Sequence, residues 1–258
     1  LKNKKMKLES ISYSSYRDYL KCPRLFFFRR IMKLKLPDDP IQLVLGKSFH
    51  LALELMEKEG KDPVKVFEKD FTKDKVKSVS VEKFALEKEE AQRLLAFWRD
   101  NRKVMLSLEG FGITEYEVPF KLKVAQDPLT KQLLNLPSIN GIVDFCTDVK
   151  GIGDYKTSSK KYTQEMVDTS DQPTFYYLWH LIERGKLPTE FVYIVFRKGI
   201  KKQPIQIIRT QRTMKQVSDL LASIQAVVFK IEGGQYFLKH DENERFCDCE
   251  LYEELLRV

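Results

Sequence analysis

The chain is 258 residues long, 43% hydrophobic and 32% charged, with 45 basic against 37 acidic residues and a formal charge of +8; this is enough apolar sequence to bury a full core and too much for a disordered tail. The basic excess suits a polyanionic partner without requiring one. No apolar run approaches the roughly 20 residues of a membrane span, and the basic start "LKNKKMKLES" lacks the hydrophobic segment of a signal peptide, so a cytoplasmic protein away from membranes is expected.

Taken in chain order, "ISYSSYRDYLKCP" offers Ser14 or Ser15 as the cap of a helix carrying Tyr16, Tyr19 and Leu20, with Pro23 as its break. The next stretch, "RLFFFRRIMKLK", mixes aromatics with charge. It reads either as a core helix whose charges face solvent or as a nucleic-acid track in which Arg29, Arg30, Lys33 and Lys35 hold phosphates. A second helix runs to Gly60. Within it Gly46 and His50 lie four apart on one face, so the glycine is expected to admit another element beside the imidazole. Residues 63–76 read as a weaker, lysine-rich helix. The segment 81–110 reads as a long amphipathic one with Ala91, Leu94, Leu95, Trp98, Met105 and Leu108 along its core stripe.

The period then changes to two. In "ITEYEVPF", Thr114, Tyr116, Val118 and Phe120 fall on one face and Ile113, Glu115 and Glu117 on the other. "GIVDFCTDVKGIGDYKTSSK", residues 141–160, reads as two short strands that carry Asp144, Asp154 and Lys156 among apolar residues. Asp154 and Lys156 share a face, and Tyr155 is expected to point the other way with Ile152. A three-residue loop of Val149, Lys150 and left-handed Gly151 would set 144 opposite 156 and 146 opposite 154. Two carboxylates so placed repel and raise one another's pKa unless a cation sits between them. Magnesium or manganese suits such oxygen ligands, and a nearby lysine can stabilise charge on a phosphoryl group. The alternative is a solvated hairpin face with a surface ion pair.

A helix follows over about 172–184. Gln172 and Tyr176 share one of its faces, and Pro173 fits only its first turn. Strands at 190–199 and 204–210 and a helix over 214–231 complete the pattern. It predicts an α/β (α+β) fold, a central mixed sheet flanked by helices, as one domain over 1–258: a helical part at about 10–110, a sheet-bearing core at 111–235 and a tail at 236–258. Four cysteines, Cys22, Cys146, Cys247 and Cys249, are too few and too unevenly spaced for a disulfide framework and read as thiols or ligands.

In this order the pieces resemble the RecB-like branch of the PD-(D/E)XK nuclease superfamily. The likeness rests on "S-x-x-x-x-Y-x-x-C-P-x-x-F" from Ser14 through Cys22 and Pro23 to Phe26, on "G-K-S-F-H-x-x-L-E", on "G-I-V-D", on "G-D-Y-K-T" and on "Q-x-x-x-Y". The resemblance implies a restriction-endonuclease-like core and a magnesium- or manganese-dependent deoxyribonuclease, an exonuclease acting on DNA ends or single strands in recombination, repair or phage DNA processing. It further implies Asp144 and Asp154 as carboxylate metal ligands, His50 as another and the Tyr155 carbonyl as a backbone ligand. Lys156 would be the catalytic lysine, with Gln172 and Tyr176 positioning groups near the scissile phosphate. Glu117 stands where relatives often carry an acidic residue, but the match is loose and it is not counted among the ligands. Lys160 and Lys161, directly after the catalytic strand, are a second candidate track for DNA. Some RecB-like nucleases hold an iron–sulfur cluster on one early and three late cysteines. Here a fourth cysteine is missing from the set Cys22, Cys247 and Cys249, and "CDC" lacks the two-residue gap, so no cluster is expected. Two further readings stay open: a nucleic-acid-binding module without turnover, and a structural subunit of a DNA-processing complex. No P-loop occurs, so any unwinding would come from a partner helicase or recombination protein.

Overall fold

The structure is a computed structural model that describes residues 7–236 and 247–255. Six strands form one mixed sheet: β1 (Ser10–Ile11), β2 (Ile113–Leu122), β3 (Ser138–Thr147), β4 (Ile152–Ser158), β5 (Phe191–Arg197) and β6 (Ile205–Thr210). Strand β3 is the hub. It pairs antiparallel with β2 on one flank, and on the other with β1 at its start and β4 at its end. Strands β4 and β5 are parallel, so the chain between them must cross over, and it does so through α6 (Gln164–Asp168) and α7 (Asp171–Arg184).

The helices cover both faces. One core gathers α1 (Tyr13–Lys21), α7 and α8 (Met214–Glu232) on the side of Ile152, Phe175 and Tyr193. The other gathers α3 (Ile41–Glu59), α4 (Pro63–Asp70) and α5 (Val81–Leu108) on the side of Tyr155, Phe145 and Phe196. Ile152 and Tyr155 therefore lie on opposite faces, not together as expected. They are three residues apart, and the alternation of a strand separates them. A third, small cluster joins α2 (Pro23–Phe26), which continues as a π turn to Ile31, with α9 (Cys249–Leu255). Among the described residues no helix is long and apolar enough to cross a membrane.

Local chemistry explains the boundaries. The cap of α1 is Ser12 rather than Ser14 or Ser15; its hydroxyl accepts from the Ser15 amide while Ser15 closes the box back onto the Ser12 amide. Pro23 ends one helix by starting the next, because a proline is tolerated in a first turn. Leu108, expected on the core stripe of α5, is exposed at the end of that helix. The lysine-rich segment keeps its helix only to Asp70, followed by a 3-10 turn at Lys73–Val76.

Candidate active site

The two central strands are joined by a tight loop in which Lys150, not Gly151, takes the left-handed conformation, with φ 62°. Gly151 is needed for a different reason: a side chain there would meet the Thr147 hydroxyl at 2.8 Å. The loop thus sits one residue earlier than expected, and the register becomes Phe145 opposite Gly153 and Cys146 opposite Ile152. The shift moves every pairing by two, which preserves faces. Asp144 still converges on Asp154, but Lys156 is not its direct opposite.

Beyond the Phe145–Gly153 pair the two strands part. The Phe145 ring lies across Gly153, where any side chain would clash at 2.2 Å. In the gap the Asp144 carboxylate takes over the ladder's role and accepts the Tyr155 amide at 2.8 Å. The neighbouring pair of strands is irregular at the same level. Tyr116 and Phe145 pack on the α3–α5 side, whereas Val118 and Val143 pack on the α7 side, although each pair is only two residues apart. The residue between them on β2, Glu117, has φ 47°, a left-handed conformation uncommon for a residue with a side chain. The break in alternation turns Glu117 and Asp144 toward α3.

There they meet His50. Its Nδ1 lies 3.3 Å from Asp144 Oδ2 and 3.8 Å from Glu117 Oε1, and ligand atoms of all three residues lie within 4.8 Å of one another. Asp154 stands beside this trio. Its Oδ1 accepts from Gln172 Nε2 at 2.6 Å, and Lys156 Nζ is 2.5 Å from its Oδ2. Gln172 Nε2 also lies 3.3 Å from the Tyr176 hydroxyl. The buried guanidinium of Arg212 holds the start of α7 by donating to the carbonyls of Val167 and Ser170 and to the Thr174 hydroxyl, so the position of Gln172 is set from outside the sequence motifs.

The electrostatics are those of crowded like charges. Burial, then the nearby Asp154 carboxylate, push the Asp144 carboxyl up to about 7. Burial opposes the His50 imidazolium, yet Asp144 and Glu117 outweigh it and raise its pKa to about 9. Burial likewise opposes the Lys156 ammonium, and Asp154 and Asp144 more than compensate. Gly46, one turn before His50, has nothing within 4 Å of where a side chain would begin. It leaves open space beside the imidazole instead of admitting a packed element.

The expected DNA-contacting residues divide. Arg29 and Arg30 direct their guanidinium groups at buried Asp18, with Arg30 Nη2 at 2.7 Å and Arg29 Nη1 at 3.3 Å. Lys33, Lys35, Lys160 and Lys161 are exposed. Lys160 lines a cleft of about 700 Å³ at the end of β4, with Thr157, Ser158, Lys83 and Lys198. Glu117, which the resemblance matches only loosely and does not count among the ligands, joins His50 and Asp144, whereas Glu115 pairs with Arg184 at 2.8 Å; Arg212, which no motif marks, escaped the sequence.

The sequence model of the PD-(D/E)XK nuclease superfamily matches residues 10–251. A crystal structure from Eubacterium rectale, provisionally named an exonuclease, aligns over 94% of this chain and 87% of its own, with a TM-score of 0.57 and 14% identity. The structure of SSO0001 aligns over 87% of this chain and 78% of its own at a TM-score of 0.35 and 9% identity, too distant to support any reading. No curated protein matches the sequence.

Proposed function

Because the chain belongs to the PD-(D/E)XK nuclease superfamily, we propose that it is a divalent-metal-dependent deoxyribonuclease of the RecB-like branch, working as one domain on DNA ends or single strands during recombination, repair or phage DNA processing. One observation carries the reading. Asp144 and Asp154 lie buried on adjacent strands with His50 and Lys156 beside them, and burial together with the Asp154 charge pushes the Asp144 carboxyl up to about 7.

The donor set fits a hard divalent ion: His50, Glu117 and Asp144 converge, and oxygen ligands with one imidazole suit magnesium or, better, manganese. Asp154 and the Tyr155 carbonyl would complete the set. When bound, the ion would polarise the phosphodiester and make an attacking water more acidic. The other steps belong to the chain's own groups. His50 must give up its proton to act as a ligand. Lys156, held by Asp154, presents positive charge where the phosphoryl group becomes more negative. Gln172 fixes the second oxygen of Asp154, and Tyr176 backs Gln172. Lys33, Lys35, Lys160 and Lys161 take phosphates of the bound strand. Arg29 and Arg30 contribute mainly through the Asp18 ion pairs, and a helicase or recombination protein is the partner that would deliver ends.

End-labelled and circular DNA, single-stranded and duplex, test this reading in one assay. Release of label from ends with magnesium or manganese, absent in EDTA and absent on circles, is the expected result. Undiminished cleavage in chelator would overturn the metal mechanism. DNA binding without cleavage in either metal would leave a silent binding module.

A further inference from the structure

Strands β4 and β5 run parallel, and the cleft of about 700 Å³ opens at their carboxyl ends, the end of an open sheet where ligands commonly bind. Thr157 and Ser158 of β4 line it together with Lys83 and Leu86 from the first two turns of α5. Ser158 is two residues beyond Lys156, about 7 Å along the strand. The cleft therefore begins beside the candidate catalytic lysine.

Its charged groups are not equivalent. Glu87 accepts from Gln42 Nε2 at 2.7 Å and from Lys198 Nζ at 3.1 Å, and Glu90 accepts from the Arg93 guanidinium at 2.7 and 2.9 Å and from the Gly199 amide at 2.6 Å. Both carboxylates are thus engaged by the protein itself. Lys83 and Lys160, by contrast, are exposed and pair with no carboxylate among the described residues. The cleft keeps two uncommitted positive charges. Leu86, which lines it with them, is 67% exposed. A leucine among lysines and hydroxyls offers nothing to a bare phosphate; it suits a ligand that carries an apolar face beside its negative charge. An unpaired nucleotide is such a ligand. A duplex is not, because its base faces are stacked away, and its grooves alone, about 12 Å and about 6 Å wide, make it too broad for a cleft whose volume suits a small ligand.

The geometry points to a binding site for an unpaired nucleotide of the DNA strand next to the scissile bond, in which Lys83 and Lys160 hold phosphates and Leu86 packs on the base. The inference rests on the proposed nuclease function for the nature of its ligand, and it deepens that function by committing the chain to a single strand at this position.

Fluorescence anisotropy of the full chain with three labelled probes, an oligothymidylate, an abasic strand of the same length and a blunt duplex, all in EDTA, tests the cleft without cleavage. Leu86→Gln should weaken thymidylate binding about fivefold and leave the abasic strand unchanged, since only the base meets the leucine. Lys83→Gln should weaken both single strands and lower the steepness of their logarithmic salt dependence by about 0.7. Neither substitution should alter duplex affinity. Both side chains are exposed, and Leu86→Ala takes the place of Leu86→Gln if the latter unfolds. Unchanged thymidylate binding in both variants, or a Leu86→Gln loss as large on the abasic strand, overturns the site. An equal loss on the duplex also overturns it, because the cleft would then be part of a general basic surface. Cleavage by the wild type in manganese is scored separately: its absence would remove the nuclease reading, while the binding comparison still decides the cleft.

Discussion

Asp18 and Asp144 are both buried aspartates, 5% and 7% exposed, yet their neighbourhoods are opposites. Asp18 receives two arginines, with Arg30 donating through Nε at 3.0 Å and Nη2 at 2.7 Å and Arg29 adding a third contact. Asp144 receives one backbone amide and faces a second carboxylate, with a histidine as the nearest cationic group. The first arrangement is complete and ties α1 to the π turn. On the function proposed above, the second would be completed by a bound metal ion. Burial and residue type alone do not separate a structural carboxylate from a functional one; the sign of what surrounds it does.

The largest expected effect breaks the comparison at its functional end. Asp154→Asn removes charge at nearly constant shape, so cleavage should fall at least about a hundredfold with the fold intact. Near-native turnover with normal metal dependence would remove Asp154 from the site. Lys156→Ala should lower kcat far more than DNA affinity, because its contact strengthens as phosphoryl charge develops. Steady-state kinetics beside a binding isotherm separate the two effects, and a loss confined to affinity would make Lys156 a simple phosphate anchor.

At the structural end, Asp18→Asn should cost about 2 kcal/mol in denaturant unfolding, on the low side for a buried pair because both arginines keep some solvent contact. Activity per folded molecule should survive. A variant of wild-type stability would show that the arginines find equivalent partners.

The comparison also predicts a pH dependence. The Asp144 carboxyl, raised from 3.8 to about 7, makes the metal-free fold less stable as pH climbs between those values. His50, raised from 6.5 to about 9, adds stability that is full below 6.5 and is lost as pH passes 9. Both act in one direction, so Tm in EDTA should decline from about pH 4 to about pH 9, and added manganese should restore more of it at higher pH as the ligands shed protons. Asp144→Asn should flatten the lower part of this slope; an unchanged slope would assign it to other groups.

Much of this was legible in the sequence. Strand alternation placed Asp144, Asp154 and Lys156 on one site, and the shift of the loop from 149–151 to 148–150 did no harm because it moved the pairing by an even number. Helix spacing put Gln172 and Tyr176 on one face, and the family resemblance brought out His50, Gln172 and Tyr176 as site residues. What stayed hidden depends on contacts between distant segments. Glu117 joins His50 only because β2 breaks its alternation, and Arg29 and Arg30 meet Asp18 only because the chain turns back across Pro23.

The smallest effect concerns the space beside His50. Gly46→Ala should stabilise α3 by about 0.5–1 kcal/mol, since nothing lies where its methyl group would stand. Gly46→Trp should keep the fold but hinder DNA. If the alanine variant loses stability, the opening is not empty in solution.

The most direct measurement is manganese calorimetry on the wild type, Asp144→Asn and Asp18→Asn at one pH near 8. Saturable binding to the wild type and to Asp18→Asn, with none or far weaker binding to Asp144→Asn, is the predicted result. Equal binding by all three proteins, or no binding to the wild type, would contradict the claim that Asp144 is the carboxylate waiting for a cation.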